Sequence, residues 1–479
     1  MSLRRRVFSR LGLGLGLVLV LGVHPTARAA DQATKAPRPN IVVFLADDLG
    51  WGDVGWHGSE IKTPHLDKLA TSGTRLEQFY VQPVCSPTRA ALMTGRYPMR
   101  HGLQVGVVRP WAEYGLPLEE RTLPQALKEA GYETAICGKW HLGHFRPEYL
   151  PTRRGFDHQY GHYNGALDYF THMRDGGLDW HQDDRVSRDE GYSTHLIARE
   201  AQRRIEDHDA AKPLFLYVPF NAVHAPHQVP EKYKQPYTHL KEPRRTYAGM
   251  LSAMDEAVGQ ITSALERRGM RDKTLIFFSS DNGGPAPGRV TSNGPLRGQK
   301  GTLYEGGVRV PAFLSWPGHL KPDTVSKTPL HIVDLFPTLL HLAGASLEQP
   351  LTLDGRDSWN AIAQNGPAPR DAILLNTTPN SGAIRVGDWK LVINAGEGAE
   401  GRAPAGKAAK KAGAARRGIE LFNIAQDPNE EHNLASANPE KVKELRARYQ
   451  AFAREAVPPK AAPKPEGFRS PKVWGETDS

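Results

Sequence analysis

Two short stretches of the chain carry hard oxygen donors. Asp47-Asp48 follows the apolar run NIVVFLA (40–46), and Asp281-Asn282 follows TLIFFSS (274–280). Carboxylates gathered in one crevice repel one another, and a cation between them relieves that repulsion. Oxygen-only donors suit a hard ion, Ca2+ or Mg2+, whereas zinc recruits His or Cys. Asp47-Asp48 alone reads equally well as a solvated turn or a helix cap; a second donor pair at a second strand end makes the metal reading the stronger. A cationic set accompanies them: Arg89, Lys139, His141, His224 and Lys300. Positive groups beside a metal need an anion between, and sulfate or phosphate fills that place. Taken singly, His141 reads as well structurally, and Lys300 as an ordinary surface lysine. The argument rests on the set.

The stretch VCSPTRAALMTGR (84–96) adds one of the chain's 2 cysteines. Ser86 suits an N-cap and Pro87 the first helical position, so a helix is predicted to begin at Cys85-Ser86. Its free N–H groups then offer an anion site, with Arg89 a turn further on aimed at the same space. A thiolate there has the place of a nucleophile. Pairing Cys85 with Cys137 in one disulfide is the plainer use of two cysteines in an exported protein.

Four apolar runs must position these residues, and each ends abruptly in polar ones. NIVVFLA runs into Asp47-Asp48, ETAICG (133–138) into Lys139-Trp140-His141, PLFLYVPF (213–220) into Asn221 and His224, and TLIFFSS into Asp281-Asn282. Such continuously apolar runs predict strands covered on both faces. Helical patterns lie between them at 123–131, 193–207 and 250–269. The alternation predicts an α/β fold: a mixed, mostly parallel sheet flanked by helices, with the sites gathered at the carboxyl ends of the strands. After HIVDLFPTLLHLAG (331–344) the rhythm changes. AIRVGDWKLVIN (383–394) and GIELFNIA (418–425) predict a smaller antiparallel sheet, and PPKAAPKPEG a flexible tail. The expected organisation is a leader over 1–30, a catalytic domain over 38–345, a C-terminal subdomain over 346–455 with a low-complexity loop at 396–418, and a tail over 456–479.

Bulk properties agree with a globular enzyme. The 479 residues suffice for a large core. Arginines 4, 5 and 6 ahead of LGLGLGLVLVLGV, with Ala27-Arg28-Ala29 after it, predict an export signal whose apolar run is too short for a membrane anchor. Arg5-Arg6-Val7-Phe8 with Arg10 resembles a twin-arginine signal, with the general secretory route as the alternative. The predicted location is therefore periplasmic or extracellular. Of the formal charge of +9, five units lie in the leader arginines (4, 5, 6, 10 and 28) and four in segment 396–418, where six basic residues face two acidic ones. The remainder is near neutral, so the basic balance does not point to nucleic acid.

Cys85-Ser86-Pro87-Thr88-Arg89 followed by LMTGR resembles the C-x-P-x-R motif of type I sulfatases. The segments LADDLGWGDVGWHG, TPHLDKLA, CGKWHLG, LPTRRGFD, VHAPHQVP, SSDNGG, PLRGQKGTLYEGGVRVPAF and LDGRD stand in that family's order, and among its branches the chain is most similar to arylsulfatase B, the N-acetylgalactosamine-4-sulfatases. The resemblance implies an alkaline-phosphatase-like fold and a Cys85 oxidised to formylglycine by a formylglycine-generating or anaerobic sulfatase-maturating enzyme. It implies one Ca2+ held by Asp47, Asp48, Asp281, Asn282 and the modified residue 85. One hydroxyl of the aldehyde hydrate would attack sulfur, with Lys139 and Arg89 stabilising charge and His224 and Lys300 assisting the departing sugar oxygen. His141 would take the proton of the second hydroxyl and expel sulfate. Cys85 is then a precursor, and Cys137 a buried core thiol. The implied substrate is a 4-O-sulfated N-acetylgalactosamine of chondroitin or dermatan sulfate type, with other sulfated polysaccharides as the alternative.

Arg109, Trp111, His162 and Asp168 are candidate sugar contacts on variable loops. Asp157-His158-Gln159-Tyr160-Gly161-His162 imitates the spacing of zinc phosphatases, but reads as a loop or pocket lining. Two rivals share the pattern: a phosphatase or phosphonate hydrolase of the same superfamily, and a sugar-binding protein in which Cys85 stays a thiol.

Overall fold

The computed structural model describes residues 38–376, 378–394 and 418–476. The predicted leader and nearly all of the low-complexity segment lie outside the described residues. Five parallel strands form the centre of a ten-stranded sheet, in the order Thr274–Ser280, Asn40–Ala46, Leu214–Pro219, Glu133–Lys139 and His158–His162. Shorter strands extend both edges, antiparallel where they join the parallel block. The apolar runs become these central strands because neighbouring side chains serve different cores. Ile41, Val43 and Leu45 pack into one cluster with the helices Cys85–Thr94, Leu123–Glu129 and Leu335–Ala343. Val42, Phe44 and Ala46 pack into another with Ser193–Glu206 and Arg244–Arg267. A strand buried on both faces has no polar positions to spare until it ends.

Register then fixes where the polar ends fall. Ala46 pairs with Ser280, Leu45 with Pro219, and Tyr217 with Ile136. Asp47, Asp281, Asn221 and Lys139 therefore emerge at one edge. Three elements differ from the sequence reading. The long helix starts at Arg244, not 250, because its polar first turn is held from outside: the Arg244 guanidinium bonds buried Asp53 at 2.6 Å and Glu60 at 2.9 Å. His158–His162, expected as a loop, is the fifth parallel strand. The predicted flexible tail is tied down through residue 474: Val457 N–H donates to Met99 O, Lys460 N–H to Gly102 O, and Trp474, 2% exposed, to Leu178 O.

The C-terminal sheet runs Ala372–Leu375, Gly382–Val386, Trp389–Ile393, Ile419–Asn423, all antiparallel. Residues 383–394, read as one strand, fold as a hairpin because Gly387 turns the chain with φ 55°. The sheet meets the large one through buried charge. The Lys390 ammonium lies 2.9 Å from both Glu305 and Glu430, all three fully buried. Glu430 Oε2 also accepts the Glu305 N–H at 2.7 Å, and Tyr80 donates to Glu305 Oε2 at 2.6 Å. Burial pushes the Glu430 carboxyl up to about 7 despite Lys390, while Lys390 holds Glu305 below its usual range. Lys390 is therefore the cation that lets two carboxylates share dry space. Lys390→Met should destabilise the fold by about 3–5 kcal/mol, read as a melting temperature several degrees lower. Glu430→Gln, which keeps an acceptor for the Glu305 N–H, should cost less. Equal melting of Lys390→Met and wild type would contradict this reading of the junction.

Candidate functional site

The strand ends deliver four donors into one cavity. Asp281 N–H donates to Ala46 O and Asp47 N–H to Ala222 O, so the loops leave the sheet already tied together. Asp48 has a left-handed backbone, φ 67°, which turns it back beside its neighbour. Carboxylate oxygens of Asp47, Asp48 and Asp281 and the Cys85 sulfur lie within 4.8 Å of one another, all buried. Asn282 donates to Asp48 Oδ1 at 2.7 Å, yet its own Oδ1 is buried with no partner, as is Asp47 Oδ1. Buried acceptors left unpaired beside three carboxylates fit a hard divalent cation.

Cations line the opposite side. Arg89 forks onto Asp281 Oδ2 (2.8 and 3.2 Å) and donates to Lys139 O at 3.1 Å. The Lys139 ammonium bonds Asp47 Oδ2, and Lys300 lies 2.8 Å from Asp48 Oδ1. Burial works to raise the Asp48 carboxyl, but Lys300 and then His224 hold it well below the usual range. Asp47 has burial and Asp281 against it and is pushed up to about 7. Against the cost of burial, Asp48 keeps Lys300 charged. Burial lowers His224 to about 3, so it is neutral at physiological pH.

Cys85 opens the Cys85–Thr94 helix, whose N-cap is Val84 without a side-chain cap. The predicted Ser86 cap does not form. Its hydroxyl instead donates to His141 O at 2.9 Å and accepts from Val108 N–H at 3.0 Å. Cys85 and Cys137 are both free and buried, so the disulfide expectation is set aside. Burial, reinforced by Asp281 and Asp47, raises the Cys85 thiol to about 12 over the pull of Lys139 and Lys300. These protein groups do not make a thiolate.

His141 is held as a neutral base. Its backbone is left-handed, φ 59°, and its Nε2 lies 3.1 Å from Val108 O. A carbonyl only accepts, so Nε2 carries the proton and Nδ1, buried without a partner, is bare. Burial, then Lys139 and Arg89, depress its pKa far below the ordinary value. Gly165 permits the ring, since a Cβ there would stand 2.4 Å from its Cε1.

A sulfatase family model matches residues 39–345. The chain belongs to the sulfatases. Mouse arylsulfatase J is 41% identical to it over 91% of this chain and 80% of its own length. Mouse N-acetylgalactosamine-6-sulfatase is 38% identical over 68% of this chain and 66% of its own. The crystal structure of Ps i-CgsB in complex with k-i-k-neocarrahexaose superposes with a TM-score of 0.78 at 32% identity, covering 92% of this chain and 95% of the other. This sulfatase is thus a sulfuric ester hydrolase with the alkaline-phosphatase-like architecture expected.

Of the predicted site residues, Asp47, Asp48, Cys85, Arg89, Lys139, His141, His224, Asp281, Asn282 and Lys300 converge on the cavity through the contacts above and the 3.6 Å approach of His224 to Asp48. Of the predicted sugar contacts, His162 is fully buried, pairs in register with Lys139 and stacks on Trp180 at 6.3 Å. Asp168 holds its own loop, accepting from Phe170 N–H, Thr171 N–H and Gln228. Trp111 donates its indole N–H to Ala462 O, and half-buried Arg109 follows Val108 in the chain. Sequence reasoning missed Val108, Ser86's true partners and Gly165. Gly165→Ala should displace the His141 ring and lower kcat about a hundredfold with the melting temperature little changed; kcat within twofold of wild type would contradict the assigned packing.

Proposed function

We propose that the sulfatase cleaves sulfate esters of a carbohydrate, sulfated N-acetylgalactosamine of a glycosaminoglycan, using a bound Ca2+ and a formylglycine at position 85. The single observation that carries the reading is the cavity in which Asp47, Asp48 and Asp281 face Lys139, Arg89 and Lys300 around Cys85. Asp47, Asp48, Asp281 and Asn282 would hold the ion, and a maturating enzyme would oxidise Cys85. When in place, the ion polarises the sulfate and the oxidised residue 85 supplies the oxygen nucleophile. The chain's own groups do the rest. Lys139 and Lys300 carry positive charge into the place where sulfate oxygens gain negative charge. Lys300, kept charged by Asp48, faces the departing sugar oxygen. His224, whose Nδ1 sits 2.5 Å from Ala225 O, presents Nε2 to the same space. The bare Nδ1 of His141 takes up a proton as sulfate leaves.

One relative's name, N-acetylgalactosamine-6-sulfatase, supports N-acetylgalactosamine as the sugar and specifies position 6, while the neocarrahexaose bound to Ps i-CgsB supports another sulfated polysaccharide as the alternative. The 4-O position implied by the arylsulfatase B resemblance is the reading we carry to the test, with the 6-O ester as its rival. Export to the periplasm or beyond remains part of the proposal; among the described residues no helix is long and apolar enough to cross a membrane.

Cys85→Ala should fold, gain melting temperature on Ca2+ addition as wild type does, and show no turnover. Wild type should carry an aldehyde in the peptide containing residue 85, prefer 4-nitrophenyl sulfate to 4-nitrophenyl phosphate, and desulfate 4-O-sulfated N-acetylgalactosamine oligosaccharides faster than 6-O ones. Near-normal turnover by Cys85→Ala, or a preference for phosphate, would overturn the assignment; faster 6-O desulfation would move the ester position alone.

A further inference from the structure

The C-terminal strap, residues 457–474, is fastened beside the loops that carry Val108 and His144. On one side Val108 O meets the His141 ring at 3.1 Å and Pro110 O the His144 ring at 3.3 Å. Three residues beyond Val108, Trp111 donates to Ala462 O of the strap at 3.0 Å. On the other side Trp474 meets His144 edge-on at 5.4 Å and donates through its indole to Arg174 O at 2.8 Å. Between these anchors Phe468 stands 6.4 Å from both Trp111 and Trp474. Lys464 is placed over two of these rings, 5.8 Å from the Trp111 centroid and 5.7 Å from that of Phe468. Among the described residues no carboxylate forms an ion pair with it.

We propose that Lys464, steadied by Trp111 and Phe468, is a subsite for the anionic group, sulfate or carboxylate, of the sugar next to the ester being cleaved. Two aromatic faces attract an ammonium without consuming its N–H donors, so the charge is pre-positioned and still able to bind an anion. The subsite is near enough to act on the same substrate chain. Trp111 is three residues from Val108, so at most ~3.6 Å of chain per residue separates the subsite's floor from the carbonyl that holds His141. An acidic polysaccharide presents a charge on successive sugars, and a cation at the rim reads that repeat where a small aryl sulfate has nothing to offer it.

The inference rests on the carbohydrate reading of the cavity, and the experiment separates the two. Lys464→Gln and Lys464→Arg are compared with wild type on 4-nitrophenyl sulfate, a monosulfated monosaccharide and a sulfated chondroitin tetrasaccharide. Lys464→Gln should raise KM for the tetrasaccharide five- to tenfold with kcat unchanged and leave both small substrates within twofold. Lys464→Arg should restore the wild-type KM. The same loss of affinity should appear by calorimetry when the tetrasaccharide binds the Cys85→Ala protein with and without Lys464→Gln, which reads the subsite even without turnover. Equal tetrasaccharide KM or affinity with and without Lys464→Gln, or an equal loss on all three substrates, overturns the subsite. Failure of wild type to desulfate any sugar, with normal aryl sulfate turnover, overturns the carbohydrate reading instead.

Discussion

Three carboxylates cannot share a dry cavity unless positive charge stands among them, and the architecture around this site follows from that constraint. Asp47, Asp48 and Asp281 are all buried, and each has its own cation: Lys139, Lys300 and Arg89. The pairing is uneven. Asp48 is held firmly ionised, whereas Asp47, pressed by burial and by Asp281, is pushed up to about 7. Asp47 Oδ1 and Asn282 Oδ1 are left without partners. Two buried acceptors so placed beside paired carboxylates fit a hard divalent cation.

Rigidity comes from outside the cavity. Strands buried on both faces cannot slide, because a one-residue slip would exchange the side chains of two separate cores. The loop carrying Lys300 is braced from below: Gly283 N–H donates to Gly307 O, Gly306 N–H to Arg297 O, and Glu305 beside them is locked by Lys390 and Glu430 of the C-terminal sheet. The second sheet thus reaches the donor loop through a buried charge of the same design as the cavity itself.

Much of this was legible in the sequence, for physical reasons that also explain the rest. The four strands and their polar ends could be read because double burial writes an unbroken apolar run that stops where the sheet stops. The Cys85 helix could be placed, but not its cap, because Ser86 takes partners from residues 108 and 141, which no local pattern reveals. His158–His162 was misread as a loop because three of its five residues are polar; they are satisfied or packed by later segments, His158 by Asp183 and Glu200, His162 by Trp180. The strap looked flexible because proline and lysine dominate it, while its attachments are mostly backbone bonds and one buried tryptophan. Gly165 carried no signal at all, since its role is to leave room for a ring contributed 24 positions earlier in the chain.

The central claim is that a divalent ion and the ring of cations grip one tetrahedral anion together, and reciprocal coupling tests it most directly. Sulfate titrated calorimetrically into metal-free and calcium-loaded protein should bind more tightly when calcium is present, and calcium more tightly when sulfate is present, by the same factor. Independent binding of the two, or sulfate that competes with calcium, would contradict the account.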